Sequence, residues 1–173
     1  MSVRYIIGID PANVQSAYCI LDESLRPVAI AYQDNEIMYC SLVEKLAELA
    51  TKHVEEGYDF RFAIEGLENH GERVGRETFE TGYWIGRLLE RLKDFDVTMI
   101  LRSEEKRTIC PGVRGANDKT IRHSLINRFD PEAKNNGKGT KAEPGWFYGF
   151  HDDIWQACAV AVTYHDNYLE GNA

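Results

Sequence analysis

Along this chain the spacing of apolar positions changes several times, and each change marks a new element. Arg4-Tyr5-Ile6-Ile7-Gly8-Ile9 is an almost unbroken apolar run and reads as a buried strand. It delivers Asp10 at its end, and Pro11, which cannot donate to a sheet ladder, marks where it stops. Ser16–Leu21 reads as a second strand and Pro27–Gln33 as a third, joined by a turn at Asp22-Glu23-Ser24, so the chain opens as an antiparallel meander. Leu42, Leu46, Leu49 and Ala50 then recur at helical spacing over Tyr39–Glu56, with Gly57 as the stop. Phe60, Phe62, Ala63 and Ile64 make a fourth strand that again ends in an acid, Glu65. A strand reached through a helix implies parallel pairing with a right-handed crossover. Phe79, Tyr83, Trp84, Leu88 and Leu92 set the apolar face of a long helix over Arg73–Phe95, and Val97–Arg102 is a fifth strand. A turn at Pro111-Gly112, a helix over Asn117–Phe129, a loop at Asn135–Gly139 and a last helix over His151–Leu169 follow. The pattern predicts a mixed α/β fold: a five-stranded sheet flanked by helices, in a single domain spanning residues 1–173.

Composition narrows the class. With 173 residues and 43% hydrophobic content, the chain suits one domain with a full core. No apolar stretch nears the roughly 20 residues that span a bilayer. No basic-then-apolar leader opens the chain. The expectation is therefore a cytoplasmic protein without a membrane partner, or one in the host-cell cytoplasm if the source is viral. Cys19, Cys40, Cys110 and Cys158 have no paired spacing, which disfavours a zinc ribbon or a disulfide framework and favours free thiols in a reducing compartment. The net charge of −8 argues against a nucleic-acid partner until its distribution is read. Residues 102–141 hold ten basic and five acidic side chains, a net of +5, against −13 for the rest. A basic segment on an acidic body suits a polyanion, although a solvated surface is the plainer alternative.

Three acidic points share one feature, since each lies at the end or start of an apolar element: Asp10, Glu65, and the pair Asp152 and Asp153 opening the last helix. If the first and fourth strands are neighbours, their ends lie about 4.8 Å apart. Such a cluster repels itself unless a cation neutralises it, and hard oxygen donors favour Mg²⁺ or Mn²⁺. Two such ions about 3.5–4 Å apart are the usual device for phosphodiester hydrolysis. Plainer readings stand beside this one. Asp152 and Asp153 also suit a helix N-terminus, and Glu65 has Arg61 and Arg73 as possible ion-pair partners.

The order of elements and acids resembles the ribonuclease H-like superfamily, and within it the RuvC-type Holliday junction resolvases. Gly8-Ile9-Asp10-Pro11 is similar to that family's first catalytic motif and Ala63-Ile64-Glu65 to its second. Lys106-Arg107-Thr108-Ile109-Cys110-Pro111-Gly112 followed by Asp118-Lys119 resembles its basic stretch, with Arg107 and Lys119 at the two functional positions if one residue is inserted between them. Lys138-Gly139-Thr140-Lys141 and Pro144-Gly145 look like a viral variant.

The resemblance implies a metal-dependent endodeoxyribonuclease that resolves four-way junctions and other branched DNA as a homodimer. It carries two Mg²⁺ per site, with Mn²⁺ as substitute. Asp10, Glu65 and Asp153 are the implied metal ligands, and Asp152 and Lys119 join them in the catalytic set. Arg107, Lys106, Lys119, Arg114, Arg122, Lys138 and Lys141 are the implied DNA contacts. The long second helix, with Gly82 and Gly86, is the expected dimer face. His70 and Glu72 either touch DNA or form a plain polar loop, and Phe79, Tyr83, Trp84, Trp146, Phe147 and Tyr148 are expected to pack in the core. One departure stands out: Gln156 occupies the position of a second C-terminal acid.

Three other readings remain. One is a nuclease of RNA/DNA hybrids or flaps, and another is a junction binder with weakened catalysis. The third, half of a sugar-kinase or actin-like ATPase, is disfavoured by length and by the lack of a Gly-rich phosphate loop.

Overall fold

The computed structural model describes residues 2–69, 71, 73–132 and 134–170. His70 and Glu72, named above as loop residues, lie outside the described residues. Strands β1 (Val3–Asp10), β2 (Gln15–Leu21) and β3 (Pro27–Asp34) form the meander. Helix α1 (Asn35–Lys52) leads to β4 (Tyr58–Gly66), and α2 (Arg76–Arg91) to β5 (Asp96–Leu101). Helices α3 (Arg102–Ile109), α4 (Asp118–Phe129) and α5 (Ile154–Tyr164) follow, and a π-helical turn, His165–Glu170, extends α5. The sheet order is β3-β2-β1-β4-β5. The meander pairs antiparallel, whereas β1 pairs parallel with β4 and β4 with β5. The expected mixed five-stranded sheet flanked by helices is present.

Both faces of the sheet are covered, which is why β1 reads as a continuous apolar run and not as an alternating one. Tyr5, Ile7, Ile9, Phe60, Phe62 and Ile64 pack under α1 and α2, against Met38, Leu42, Trp84 and Leu88. Ile6, Ala17, Cys19 and Ala63 face the other way, toward α4 and α5. Helix α5 lies directly on β1. A side chain at Gly8 would run into the carbonyl oxygen of Ala157 and the methyl of Ala161, so only glycine permits this approach. Small residues at Ala157, Ala159 and Ala161 complete the contact.

Several element boundaries differ from the pattern. α1 starts at Asn35, where Asp34 caps it by accepting from the Glu36 amide at 3.2 Å. α2 is shorter at both ends than Arg73–Phe95. α3 was not foreseen, because its sequence presents no apolar stripe and its one buried side chain is Glu105. α5 begins at Ile154 and not at His151, because Asp152 takes a left-handed φ of 40° that breaks the helix before it starts. Phe79 and Tyr83, expected in the core, are 70% and 73% exposed, and of that trio only Trp84 is buried. Phe147 is buried and Trp146 stacks on Phe129, but Tyr148 is exposed.

Candidate functional site

The two acids delivered by strand ends meet. Asp10 ends β1, and Glu65 lies one position past Ile64, the partner of Ile9 across the β1–β4 ladder. Both face the α5 side of the sheet, and their carboxyl groups share a hydrogen bond. Two carboxylates in that contact need a proton between them, or a cation beside them, because both cannot ionise bare. Burial, then the neighbouring Glu65 and Asp153, push Asp10 well above the usual carboxylate range. Burial raises Glu65 too, while Arg102 pulls it back.

The loop that follows Asp10 is fixed from below. Ser16 Oγ accepts from the Ala12 amide at 3.0 Å and donates to Asn35 Oδ1 at 2.6 Å. Asn35 Nδ2 donates to the Ala12 and Asn13 carbonyl oxygens at 3.0 and 3.3 Å. The first residue of α1 therefore holds the turn that presents Asp10. Nothing in the hydrophobic pattern signals this clamp.

Asp153 stands at the N-cap position of α5 without a side-chain capping hydrogen bond, and adds its field to both acids. Burial raises it first, then Asp152 and Asp118. It does not close into a tight set with them: among the described residues, the group of potential ligands lying within 4.8 Å of one another is His165, Asp166 and Glu170. That set lies past the far end of α5, where Arg128 binds Asp166. Asp152 does not flank Asp153 on a helix as expected. It sits in the preceding turn, exposed, with His151 Nδ1 at 2.9 Å from its Oδ2. Tyr32 packs edge-on against His151, and burial and the charges of Asp153, Asp152 and Asp10 raise its phenol.

Neither Arg61 nor Arg73 holds Glu65: Arg61 pairs with Asp59 and Asp96, and Arg102 takes the role. From the first position of α3 its Nε lies 4.0 Å from Glu65, while its two terminal nitrogens bind Glu105 and Asp118. Glu105 is fully buried, and burial pushes its carboxyl up to about 8 despite Arg102. Its Oε2 finds no hydrogen-bond partner among the described residues, nor does Oε1 of buried Gln156 one turn past Asp153. Sequence reasoning missed Arg102 and Glu105, yet Arg102 follows the rule that picked out the acids: it is the charged residue delivered where an apolar strand stops.

No protein-family model and no curated protein sequence matches the chain. Solved structures do. The structure of T. thermophilus RuvC in complex with Holliday junction substrate superposes with a TM-score of 0.61 at 12% identity, over 98% of both chains. A second Thermus thermophilus RuvC structure gives 0.62 at 14% identity, over 96% of both.

The chain has a RuvC-like fold.

On this RuvC-like frame the basic candidates divide into four groups. Lys106, Arg107 and Arg114 line one groove formed by α3 and the turn after it, together with Ser103, Gly112 and Gly115. Lys119 is exposed in the first turn of α4, beside the Asp118 that binds Arg102. That turn is fixed by a reciprocal cap between Asn117 and Thr120. Arg122 instead lies over the Trp155 ring at 4.5 Å, which makes it a packing contact between α4 and α5. Lys141 sits on the turn closed by the Gly139–Pro144 bridge and Lys138 just before it, and neither lines that groove. Among the described residues, no helix is long and apolar enough to cross a membrane.

Proposed function

We propose that this chain is a metal-dependent endonuclease that cuts branched DNA, four-way junctions above all, by hydrolysing a phosphodiester bond. The observation that carries the reading is the largely buried Asp10–Glu65 contact at the sheet end of a RuvC-like fold, within the field of Asp153, in a chain that also carries a basic groove along α3 and the turn after it. Oxygen-only donors and a carboxyl pair that cannot ionise bare fit a hard divalent cation, Mg²⁺ or Mn²⁺. Asp10, Glu65 and Asp153 would hold two such ions, and these supply Lewis acidity at the phosphate and a more acidic water. The residues of the chain do the rest. The Ser16–Asn35 clamp keeps Asp10 in place, Lys106, Arg107 and Arg114 bind backbone phosphates, and Lys119 approaches the cut from α4.

Symmetric cutting of a four-way junction calls for two sites, and we assign the second copy to α2. Phe79 and Tyr83 stand exposed there beside Arg76 and Arg87, and the open flank at Gly86 allows close approach of a second helix.

The test is cleavage of a labelled four-way junction in Mg²⁺, run beside flap and RNA/DNA hybrid substrates. Asp10→Asn and Glu65→Gln should each slow junction cutting by at least about 100-fold, near 2.7 kcal/mol of barrier. Cutting at the wild-type rate by either variant sinks the proposal. Preference for the hybrid would instead identify a hybrid nuclease. Gln156 favours a second reading, a junction binder with weak chemistry; tight binding without nicking in either Mg²⁺ or Mn²⁺ would decide for it.

A further inference from the structure

Arg102 puts a full positive charge inside the acidic site. It is mostly buried, and it is held from two sides. Glu105, sealed in the interior, binds one terminal nitrogen, and Asp118, whose side chain is 80% exposed, binds the other. Between these two anchors the guanidinium Nε lies 4.0 Å from Glu65 Oε1, an ion pair without a hydrogen bond. Arginine suits the position because its planar fork offers donors in fixed directions to several carboxylates at once, which the point charge of a lysine does not. Burial works against its charge, but Glu105, Glu65 and Asp118 together outweigh that penalty. Glu65 in turn feels Arg102 as its strongest favourable neighbour. An isolated buried carboxyl pair would be costly, and Arg102 relieves that cost on the Glu65 side alone.

We propose that Arg102 is a resident counter-ion of the site, held by Glu105 and Asp118 within 4.0 Å of Glu65, whose positive charge an incoming divalent cation must work against in order to bind. The inference rests on the metal-binding reading given above. The charge of Arg102 opposes a second cation at the same carboxylate, so it sets the affinity of the site without contacting the reacting atoms. Because Glu105 and Asp118 grip it independently of Glu65, the guanidinium stays paired when a cation binds Glu65, and metal binding does not strand a buried charge. The arrangement keeps the site folded and neutralised when divalent ions are scarce, and it raises the concentration at which they load.

Calorimetric titration of the full chain with Mn²⁺ at pH 7.5, in the absence of DNA, measures this directly. Arg102→Gln should bind Mn²⁺ at least threefold more tightly than wild type, because removing a positive charge beside Glu65 favours the incoming cation. Arg102→Lys, which keeps the charge but cannot span three carboxylates, should fall between the two. A purely structural arginine predicts the opposite, so equal or weaker Mn²⁺ binding by a folded Arg102→Gln overturns the proposal. Circular dichroism reports whether that variant folds; if it does not, Arg102→Lys carries the test, and affinity no tighter than wild type overturns the inference. Wild-type protein that binds no Mn²⁺ would defeat the metal-binding reading itself, a result distinct from equal affinities in wild type and variants.

Discussion

At the scale of single residues, the site consists of acids kept from their ordinary charge. Asp10, Glu65, Asp153 and Glu105 are all raised, each chiefly by burial, and Glu105 reaches about 8. The folded chain therefore keeps these protons to higher pH than the unfolded chain, with Asp and Glu near 4, and Glu105 keeps its proton into the neutral range. A raised folded value stabilises below the unfolded value and loses that stabilisation as pH climbs through the folded one. The window here runs from about pH 4.5 to 8. Acids lowered by ion pairs, such as Asp59 and Asp166, change stability only below that window. In EDTA, the thermal midpoint should be at least about 3 °C higher at pH 5.5 than at pH 8.0, given roughly 2–4 °C per kcal/mol for a chain of this size. Saturating Mn²⁺ should narrow the gap, since a bound cation replaces the protons. A higher midpoint at pH 8.0 in EDTA would contradict the burial of these groups.

At the scale of elements, the contact of α5 on β1 decides where Asp153 sits relative to Asp10. Gly8→Ala would place a methyl 2.8 Å from the Ala161 nitrogen and overlap the Ala157 carbonyl, forcing α5 away from the sheet. Loss of ~2–3 kcal/mol or more is expected, roughly a 5–10 °C fall in midpoint, with Mn²⁺ affinity falling alongside because Asp153 moves with the helix. An unchanged midpoint on differential scanning would show that α5 is free to shift. Strands were legible in the sequence because both sheet faces are buried, so β1 and β4 announce themselves as apolar runs with an acid at the end. α3 was not legible for a physical reason. Periodicity detects helices through an apolar stripe, and the inward side of α3 is occupied by Glu105 and Arg102, which pair with each other through Glu105 Oε1 instead. Asp152 was misplaced because a left-handed backbone conformation at a non-glycine residue leaves no mark in the hydrophobic pattern.

At the scale of the whole molecule, the apolar face of α2 was read as core because a helical stripe does not say what covers it. Trp84 and Leu88 face the sheet, while Phe79 and Tyr83 face outward. If a second copy covers them, Tyr83→Asp should convert the chain from two-copy to single-copy mass in sedimentation at micromolar concentration, with the monomer's fold unchanged. A single-copy mass for wild type at that concentration removes α2 as the dimer face. The basic segment likewise shows its meaning only when folded, because α3 and the turn after it bring Lys106, Arg107 and Arg114 to one groove while α4 lays Arg122 on Trp155. The pairing of β1 with β4 has one more consequence. Gly8 opposes Ala63 and Ile9 opposes Ile64, so even positions of β1 and odd positions of β4 look toward α5. Loss of a single residue upstream in β4 would turn Glu65 into the layer beneath α1 and α2, while loss of two would return it to its own side. The chemistry of this chain is thus guarded by parity: insertions and deletions in these two strands are tolerable only by twos.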